Sequence, residues 1–385
     1  MPWKETSALE QRTELIHDWE NEYTVTELSQ MYGVSRKTIY KWIDRYETNK
    51  DSGLEERSRA PLRHPNATPV EIAEMIVKAK LSHQRWGPKK LLVRLEREHP
   101  DRQWPALSTA SEILRRYGLV KHRHPRHHTP PYAEPFQDCH DPNAVWSADY
   151  KGQFRLGNGR LCYPLTISDN YSRYLLSCRA LERPSHAQTQ PWFEWTFREY
   201  GLPYAIRTDN GAPFAAVSVG GLSRLAVWFI KLGIRPERID VGEPQQNGRH
   251  ERMHRTLKEA AVTPPRDNLA QQQRVFDRFR DEFDNERPHE ALGQRTPASV
   301  YRASTRTYPA KIGKVEYDAD SLVRHIHTNG CMKWQGELIY VSENLRGEDI
   351  GLKRISEHER EIRFSFHHLG IFDERKGKIR PREKV

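Results

Sequence analysis

The chain has 385 residues, a net charge of +10 at neutral pH and a mean hydropathy of −0.88. This length exceeds what one hydrophobic core usually serves, so we expect several domains. No apolar run approaches the length of a membrane span, which excludes an integral membrane protein, and the positive charge favours an anionic partner such as nucleic acid.

The start of the chain lacks the basic and then apolar pattern of a secretory signal, and the four cysteines show no paired spacing. Both features predict a reducing, cytoplasmic location. The positive charge is unevenly distributed. Residues 1–55 contain 7 basic and 11 acidic residues, whereas residues 56–130 contain 16 and 7. The second segment is therefore the most basic part of the chain.

Residues 1–55 form the first predicted domain, a helix-turn-helix. Apolar residues recur at helical spacing in three short segments, Gly33 suits the left-handed residue that closes the second helix, and Ser35 suits the N-cap of the third. Such folds present the start of the third helix to the major groove. The DNA-contact candidates there are Ser35, Arg36, Lys37, Thr38, Tyr40 and Lys41. A three-helix bundle with a solvated basic face remains the alternative.

A linker rich in Ser, Pro and Arg is predicted over residues 56–66, and a second helix-turn-helix, similar to a winged helix, over residues 67–120. We expect Pro69 at the first helical position, Ser108 as the cap of the third helix, and Gly118 at its end. Two tandem helical units would span more DNA than one. The basic and polar candidates for DNA contact in these two segments are Arg57, Arg59, Arg63, Lys89, Lys90, Ser108, Arg115 and Arg116.

A second linker, rich in His, Pro and Arg, is predicted over residues 121–141. Its metal-ligating side chains are His122, His124, His127, His128, Cys139 and His140. Their spacing matches no closed tetrahedral zinc site, and the prolines favour an extended chain. The segment is therefore interpreted as a tether.

Residues 142–302 show a different pattern, in which strands are followed by helices. Three segments with strand character precede a helix, and strands and helices then alternate. The β-β-β-α-β-α-β-α order predicts an α/β domain with a mixed sheet and helices on its faces, and it resembles the ribonuclease-H-like fold.

Three acids stand out in this region. Asp149 lies in the first predicted strand, Asp209 ends the fourth, and Glu251 lies in the first turns of a helix. Three converging carboxylates would repel one another, so a divalent cation is expected among them, and all-oxygen ligation favours Mg²⁺, with Mn²⁺ as a substitute. Two such ions, roughly 4 Å apart, catalyse in-line displacement at phosphorus.

Other acids compete for these roles. Asp169 at a strand end is interpreted as a structural Asx cap. Glu243 and Asp240 precede the helix of Glu251 and compete with it as the third acid.

Arg255 and Lys258 are candidates for holding the DNA backbone. Helical spacing places both on one face with Glu251 and His254. A solvated surface stripe is the equally supported alternative.

The motifs "WSADYKG", "RTDNGAPF", "PQQNGRHERMHRTLK" and "FDNERPHEALGQRTPASVY" make residues 146–301 resemble the integrase core of bacterial insertion-sequence transposases of the DDE, retroviral-integrase-like type. The resemblance implies that helix-turn-helix units bind the terminal inverted repeats. It also implies Mg²⁺-dependent cleavage of the element ends and joining of the 3′ hydroxyl to target DNA. Asp149, Asp209 and Glu251 would be the metal ligands, with two ions per active site. The expected partners are double-stranded DNA and further copies of the chain, in a homodimer or larger assembly, and no membrane.

One departure from retroviral integrases is the 41 residues between Asp209 and Glu251, which keep Glu243 in consideration. Residues 303–385 alternate between turn signals, which predicts a small β-barrel that supports DNA, a neighbouring subunit or only stability. Two other functions remain open from sequence. They are a DNA-binding regulator with a silent core and a ribonuclease acting on RNA–DNA hybrids.

Overall fold

The structure is a computed structural model that describes residues 7–57, 67–120, 139–215, 221–239 and 248–380. The chain divides into two compact units, Met1–Thr68 and Pro69–Val385. Several candidates lie outside the described residues, namely Arg59, Arg63, His122, His124, His127, His128, Asp240 and Glu243.

The first unit contains three helices, α1 (Ala8–Glu20), α2 (Val25–Met31) and α3 (Arg36–Asn49). As predicted, the Ser35 hydroxyl accepts a hydrogen bond from the backbone of the third helix, and Gly33 has a positive φ of 64°. The helices bury a small apolar core of Leu15, Ile16, Leu28, Ile39, Trp42, Ile43 and Leu54. The predicted helix-turn-helix is confirmed.

The second unit begins with α4 (Val70–Ser82), α5 (Pro88–Glu98) and α6 (Leu107–Arg116), which enclose their own core around Leu91 and Trp86. Two predicted helix starts are wrong. Pro69 precedes the first helical residue, and Ser108 lies within α6 because Ala106 occupies the cap. Gly118 follows α6 with a φ of +68°, as expected for a helix end.

A six-stranded mixed sheet forms the centre of this unit. Its strands are β1 (Val145–Tyr150), β2 (Phe154–Arg155), β3 (Leu161–Asp169), β4 (Ser177–Leu181), β5 (Ala205–Thr208) and β6 (Arg235–Arg238). Strands β4, β3 and β1 are antiparallel, whereas β5 and β6 continue the sheet parallel to β1. The predicted mixed sheet of ribonuclease-H-like type is confirmed. The first strand is shorter than predicted because the chain leaves it after Tyr150.

Helices cover both faces of the sheet. They are α7 (His186–Tyr200) and α8 (Arg224–Lys231) on one face, and α9 (Gly248–Leu257) and α10 (Leu269–Asp281) on the other. Trp146 and Leu165 pack in the first core, whereas Cys162 and Cys178 pack in the second. Side chains alternate between faces along a strand, so odd-numbered residues of β1 point towards α9 and α10.

The C-terminal residues form an antiparallel sheet. Its strands are β7 (Leu322–His325), β8 (Cys331–Trp334), β9 (Glu337–Tyr340), β10 (Asp349–Arg354), β11 (Glu359–Phe364), β12 (His367–Asp373) and β13 (Lys378–Arg380). Five strands pair in the order β13-β12-β11-β10-β7, and β8 and β9 form a hairpin. The predicted barrel is not confirmed, because no pairing within residues 248–380 closes this sheet. The sheet instead packs its apolar face against α8.

None of the helices in the described part of the chain is long and apolar enough to cross a membrane.

Candidate active site

The sheet register brings Asp149 and Asp209 side by side. Strands β1 and β5 are parallel neighbours, and Ala148 pairs with Thr208. Asp149 directly follows Ala148, and Asp209 directly follows Thr208. Adjacent strands lie about 4.8 Å apart and paired positions share a face, so both carboxylates stand on the side of the sheet that α9 covers.

Both carboxyl groups are hard to ionise. Burial, with a further contribution from the Asp209 charge, raises the pKa of Asp149 from 3.8 to about 7. Burial also raises the pKa of Asp209, against a hydrogen bond from the Gly211 backbone that lowers it. The buried Oδ1 of Asp209 accepts no hydrogen bond from the described residues. A cation beside these groups would relieve both the repulsion and the lost hydration.

Two buried histidines of α9 hold the helix against this part of the sheet. His250 Nε2 and His254 Nε2 contact the Thr166 hydroxyl at 2.8 Å and 2.7 Å, and His250 Nδ1 contacts Ser168 Oγ at 2.9 Å. His254 Nδ1 lies 3.6 Å from Asp149 Oδ2. Thr166 is the register partner of Asp149 on β3. The contacts therefore fix α9 next to the Asp149 carboxylate.

Burial keeps both imidazoles neutral. It lowers the pKa of His250 to about 3, and it lowers the pKa of His254 well below 6.5. One atom each of Asp149, His250 and His254 lie within 4.8 Å of one another, close enough to hold a metal ion. All four ring nitrogens, however, already have oxygen neighbours. Their arrangement suits orienting the Asp149 carboxylate, as partners of metal ligands commonly do.

Glu251 lies on the exposed side of α9, and two of the basic candidates near it are exposed as well. Glu251, Arg255 and Lys258 are exposed, whereas His254 is 5% exposed. The predicted shared stripe is therefore wrong for His254, because the helix buries its 250–254–257 edge against the sheet. Glu251 is near enough for its charge to raise the pKa of Asp149. The sequence interpretation missed the role of the histidines, although their i, i+4 spacing was visible.

Asp169 has the contacts of a structural cap. Its Oδ2 accepts hydrogen bonds from the backbone and hydroxyl of Ser172, at 2.7 Å and 2.6 Å, and its Oδ1 accepts one from the Asn143 backbone at 2.8 Å. These bonds occupy both oxygens. Asp169 thus has the Asx geometry expected from the sequence.

The candidate DNA contacts of the first unit lie mostly at the surface. Ser35, Arg36, Lys37, Tyr40 and Lys41 are exposed, and Arg57, in the chain after α3, is exposed too. Thr38 is half-buried, and its hydroxyl lies 2.9 Å from that of Ser35. The start of α3 is thus open to a ligand.

The candidates of the second helical unit differ among themselves. Ser108, Arg115 and Arg116 on α6 are exposed, and the two arginines form ion pairs with Glu112. Lys89 and Lys90 on α5 instead face the core domain. Lys89 pairs with Glu290 at 2.9 Å, and Lys90 is half-buried.

Segments of the chain match models of known protein families. Residues 140–244 and 232–297 each match a family described as "Integrase core domain". Residues 11–61 match "Helix-turn-helix domain", and residues 38–114 match "Homeodomain-like domain".

Two bacterial relatives span much of the chain. The insertion element IS407 uncharacterized 31.7 kDa protein of Burkholderia multivorans is 25% identical over 238 residues, which cover 60% of this chain and 82% of the relative. The insertion element IS476 uncharacterized 39.2 kDa protein of Xanthomonas euvesicatoria is 27% identical over 261 residues, covering 66% and 71%. The HTLV-2 integrase catalytic core domain aligns with a TM-score of 0.34 at 15% identity, covering 42% of this chain and 99% of that one.

The family matches describe a protein with an integrase core and helix-turn-helix domains, and these domains imply DNA binding. These matches support a bacterial insertion-sequence transposase of the retroviral-integrase type. Its integrase core places it among enzymes of nucleotidyl transfer that act in DNA transposition or integration.

Proposed function

We propose that the protein is a DDE transposase that binds the terminal inverted repeats of its element, cleaves phosphodiester bonds at the ends, and joins the freed 3′ hydroxyl to target DNA. Asp149, Asp209 and Glu251 are the proposed catalytic acids. The observation that supports the proposal is the register of β1 and β5, by which the half-buried Asp149 and the half-buried Asp209 follow paired residues on the side of the sheet that α9 covers.

The donor set fits divalent metal ions. The Asp209 Oδ1 atom is buried and lacks a hydrogen bond from the described residues, and the Asp209 charge opposes the ionisation of Asp149. Both features are costly without a cation and favourable with one. Carboxylate oxygens suit Mg²⁺, with Mn²⁺ as a substitute, and Asp149, Asp209 and Glu251 would hold two ions. Bound there, the ions supply activation of the attacking oxygen and charge stabilisation of the leaving oxygen.

Side chains around the acids would orient the Asp149 carboxylate and bind the DNA backbone. His254, held by Thr166, keeps the Asp149 carboxylate facing Asp209. Arg255 on α9 and Lys258, the residue directly after α9, are exposed and would contact phosphates of the DNA end next to the acids. Gly211 leaves room for Asp209, because a Cβ atom there would lie 2.9 Å from its carboxylate. These residues would place the scissile phosphate beside the acids.

Recognition of the ends is assigned to the helix-turn-helix units. Five of the six candidate residues at the start of α3 are exposed to a ligand, and so are Ser108, Arg115 and Arg116 on α6. We propose domain limits of 1–55, 67–120, 142–302 and 303–385, with linkers at 56–66 and 121–141. Two element ends require two active sites, so a homodimer or larger assembly on DNA is proposed, acting in the cytoplasm. The C-terminal sheet is assigned to DNA or subunit support.

The test is a cleavage and strand-transfer assay with labelled element ends in Mg²⁺. Asp209→Asn should remove both products while DNA binding and folding stay intact, because the neutral amide is a much weaker ligand for a divalent cation than the carboxylate. Asp141→Asn is the matched control, since Asp141 is exposed four residues before β1. Equal product from wild type and Asp209→Asn would refute the catalytic assignment. Binding without any product from wild type would favour the regulator.

A further inference from the structure

The Thr166 hydroxyl determines which ring nitrogens of the two α9 histidines carry a hydrogen. Thr166 Oγ1 donates its hydrogen to the backbone carbonyl oxygen of Asp149 at 3.1 Å. The same oxygen atom lies 2.8 Å from His250 Nε2 and 2.7 Å from His254 Nε2. A hydroxyl has one hydrogen and two lone pairs, so Thr166 can only accept from the two rings. Each Nε2 atom therefore carries a hydrogen and donates it to Thr166.

The two histidines differ at the other ring nitrogen, Nδ1. A neutral imidazole with a hydrogen on Nε2 has a lone pair on Nδ1. Burial lowers the pKa of His250 to about 3 and that of His254 well below 6.5, so both rings are neutral at pH 7. His250 Nδ1 accepts a hydrogen bond from Ser168 Oγ at 2.9 Å. Within the described residues no donor reaches His254 Nδ1, and its lone pair is left for another partner.

That lone pair lies next to the Asp149 carboxylate. His254 Nδ1 is 3.6 Å from Asp149 Oδ2, which is longer than a hydrogen bond of about 2.7–3.2 Å. Neither atom has a hydrogen to share when Asp149 is ionised. The separation does suit two ligands of one metal ion, because ligand bonds of about 2.1 Å that meet at roughly 120° span about 3.6 Å.

We propose that His254 Nδ1 and Asp149 Oδ2 together bind one divalent metal ion, and that this mixed nitrogen and oxygen site prefers Mn²⁺ to Mg²⁺. The site rests on the proposed function, because it takes Asp149 as a metal ligand. Imidazole nitrogen is a common ligand of first-row transition metal ions, whereas Mg²⁺ takes oxygen ligands. Ligation through Oδ2 would leave Asp149 Oδ1 for an ion shared with Asp209.

The partners of His254 fit the role of a ligand. A histidine that binds metal through one ring nitrogen usually donates the hydrogen of the other to a nearby oxygen, which fixes the orientation of the ring. His254 makes that bond to Thr166, and Thr166 in turn bonds to the backbone of Asp149. Thr166 thus connects the two proposed ligands. His250 makes the same bond to Thr166, but Ser168 covers its Nδ1 atom, so His250 supports the site without ligating the ion.

The experiment compares His254→Gln with His250→Gln. Both histidines are buried on α9 and donate to Thr166, and the glutamine amide can still donate to that hydroxyl while the Nδ1 atom is removed. Calorimetry on the DNA-free protein should show tighter binding of Mn²⁺ than of Mg²⁺ to wild type. His254→Gln should weaken Mn²⁺ binding by at least about 10-fold and Mg²⁺ binding much less, whereas His250→Gln should keep the preference for Mn²⁺. Equal loss of both metals in the two variants would show that the histidines only hold α9, and would overturn the proposal.

Pulsed electron paramagnetic resonance of bound Mn²⁺ tests the ligand directly. The spin-echo decay of Mn²⁺-loaded wild type should be modulated by a coordinated nitrogen nucleus, and the modulation should persist in His250→Gln and disappear in His254→Gln. Mn²⁺-loaded wild type without nitrogen modulation would overturn the proposal whether or not the variants fold. Nitrogen modulation in a wild-type protein that makes no strand-transfer product would refute the proposed function and leave this site standing. Product without nitrogen modulation would refute the site alone.

Discussion

Replacing Asp149 by Asn should stabilise the metal-free protein at neutral and alkaline pH. Burial raises the pKa of Asp149 from 3.8 to about 7. Between about pH 4 and pH 7 the folded state therefore binds more protons than the unfolded state, so stability falls as the pH rises through that window. Asn has no proton to lose, and the variant should escape this penalty.

The size of the effect follows from the pKa. A rise from 3.8 to about 7 corresponds to an upper limit of about 4 kcal/mol above pH 7. Because the side chain is 19% exposed, water screens part of this, and we expect about 2 kcal/mol. For a domain of this size that is about 4–8 °C in Tm. Below pH 4 the gain should vanish, because the carboxyl is then protonated in both states.

Thermal melts of wild type and Asp149→Asn at pH 3.5, 6 and 8, with chelator and with Mg²⁺, would measure this difference in stability. Asp141→Asn should melt like wild type throughout. Mg²⁺ should raise the Tm of wild type at pH 8 and raise that of Asp149→Asn much less. If Asp149→Asn is no more stable than wild type at pH 8 without metal, ionising the Asp149 carboxyl does not destabilise the folded protein. The argument for a cation between Asp149 and Asp209 would then fail.

Three further outcomes are expected. Thr166→Val leaves both histidine Nε2 atoms without their shared partner, and should cost about 1–3 kcal/mol in unfolding free energy and about 10–100-fold in Mn²⁺ affinity by calorimetry. The control Thr256→Val removes a hydroxyl that donates to the Arg252 carbonyl within α9, and it should leave the Mn²⁺ affinity unchanged. Lys37→Gln should weaken binding to element ends and lower the salt slope by about 1, whereas Lys50→Gln beyond the other end of α3 should not; equal slopes would exclude a phosphate contact at Lys37. Leu28→Ala, at a fully buried position, should destabilise the first unit by about 2–5 kcal/mol and remove preference for the ends, while metal binding by the core stays unchanged in calorimetry.

Local sequence signals were sufficient to predict most helices and strands and to place Asp149 and Asp209 in or next to strands. Ser35 and Gly33 mark helix boundaries through side-chain capping and positive φ, which are properties of a few adjacent residues. Asp149 lies in a strand and Asp209 directly follows one, as their flanking patterns predict. The mixed sheet followed from the order of strands and helices.

Features that depend on contacts between residues far apart in the sequence could not be predicted from local patterns. Helical spacing alone places His254 near Glu251, but the contact with Thr166 decides which edge of α9 is buried. The docking of α5 joins Trp86 to Glu282, 196 positions later, and no local pattern encodes such a contact. The predicted starts of α4, with Pro69 as its first residue, and of α6, with Ser108 as its cap, were wrong by one and two residues, an error that is common at helix ends.

The pairing of Ala148 with Thr208 has a consequence for how this protein tolerates changes of length. Side chains alternate between faces along a strand, so deleting one residue from β1 ahead of Asp149 would turn its carboxylate towards Phe193 and Phe197, into the apolar layer under α7. Because the strand register brings Asp149 and Asp209 together, insertions in surface turns should leave their positions unchanged. A shift of one residue within either strand would instead move its carboxylate to the opposite face of the sheet.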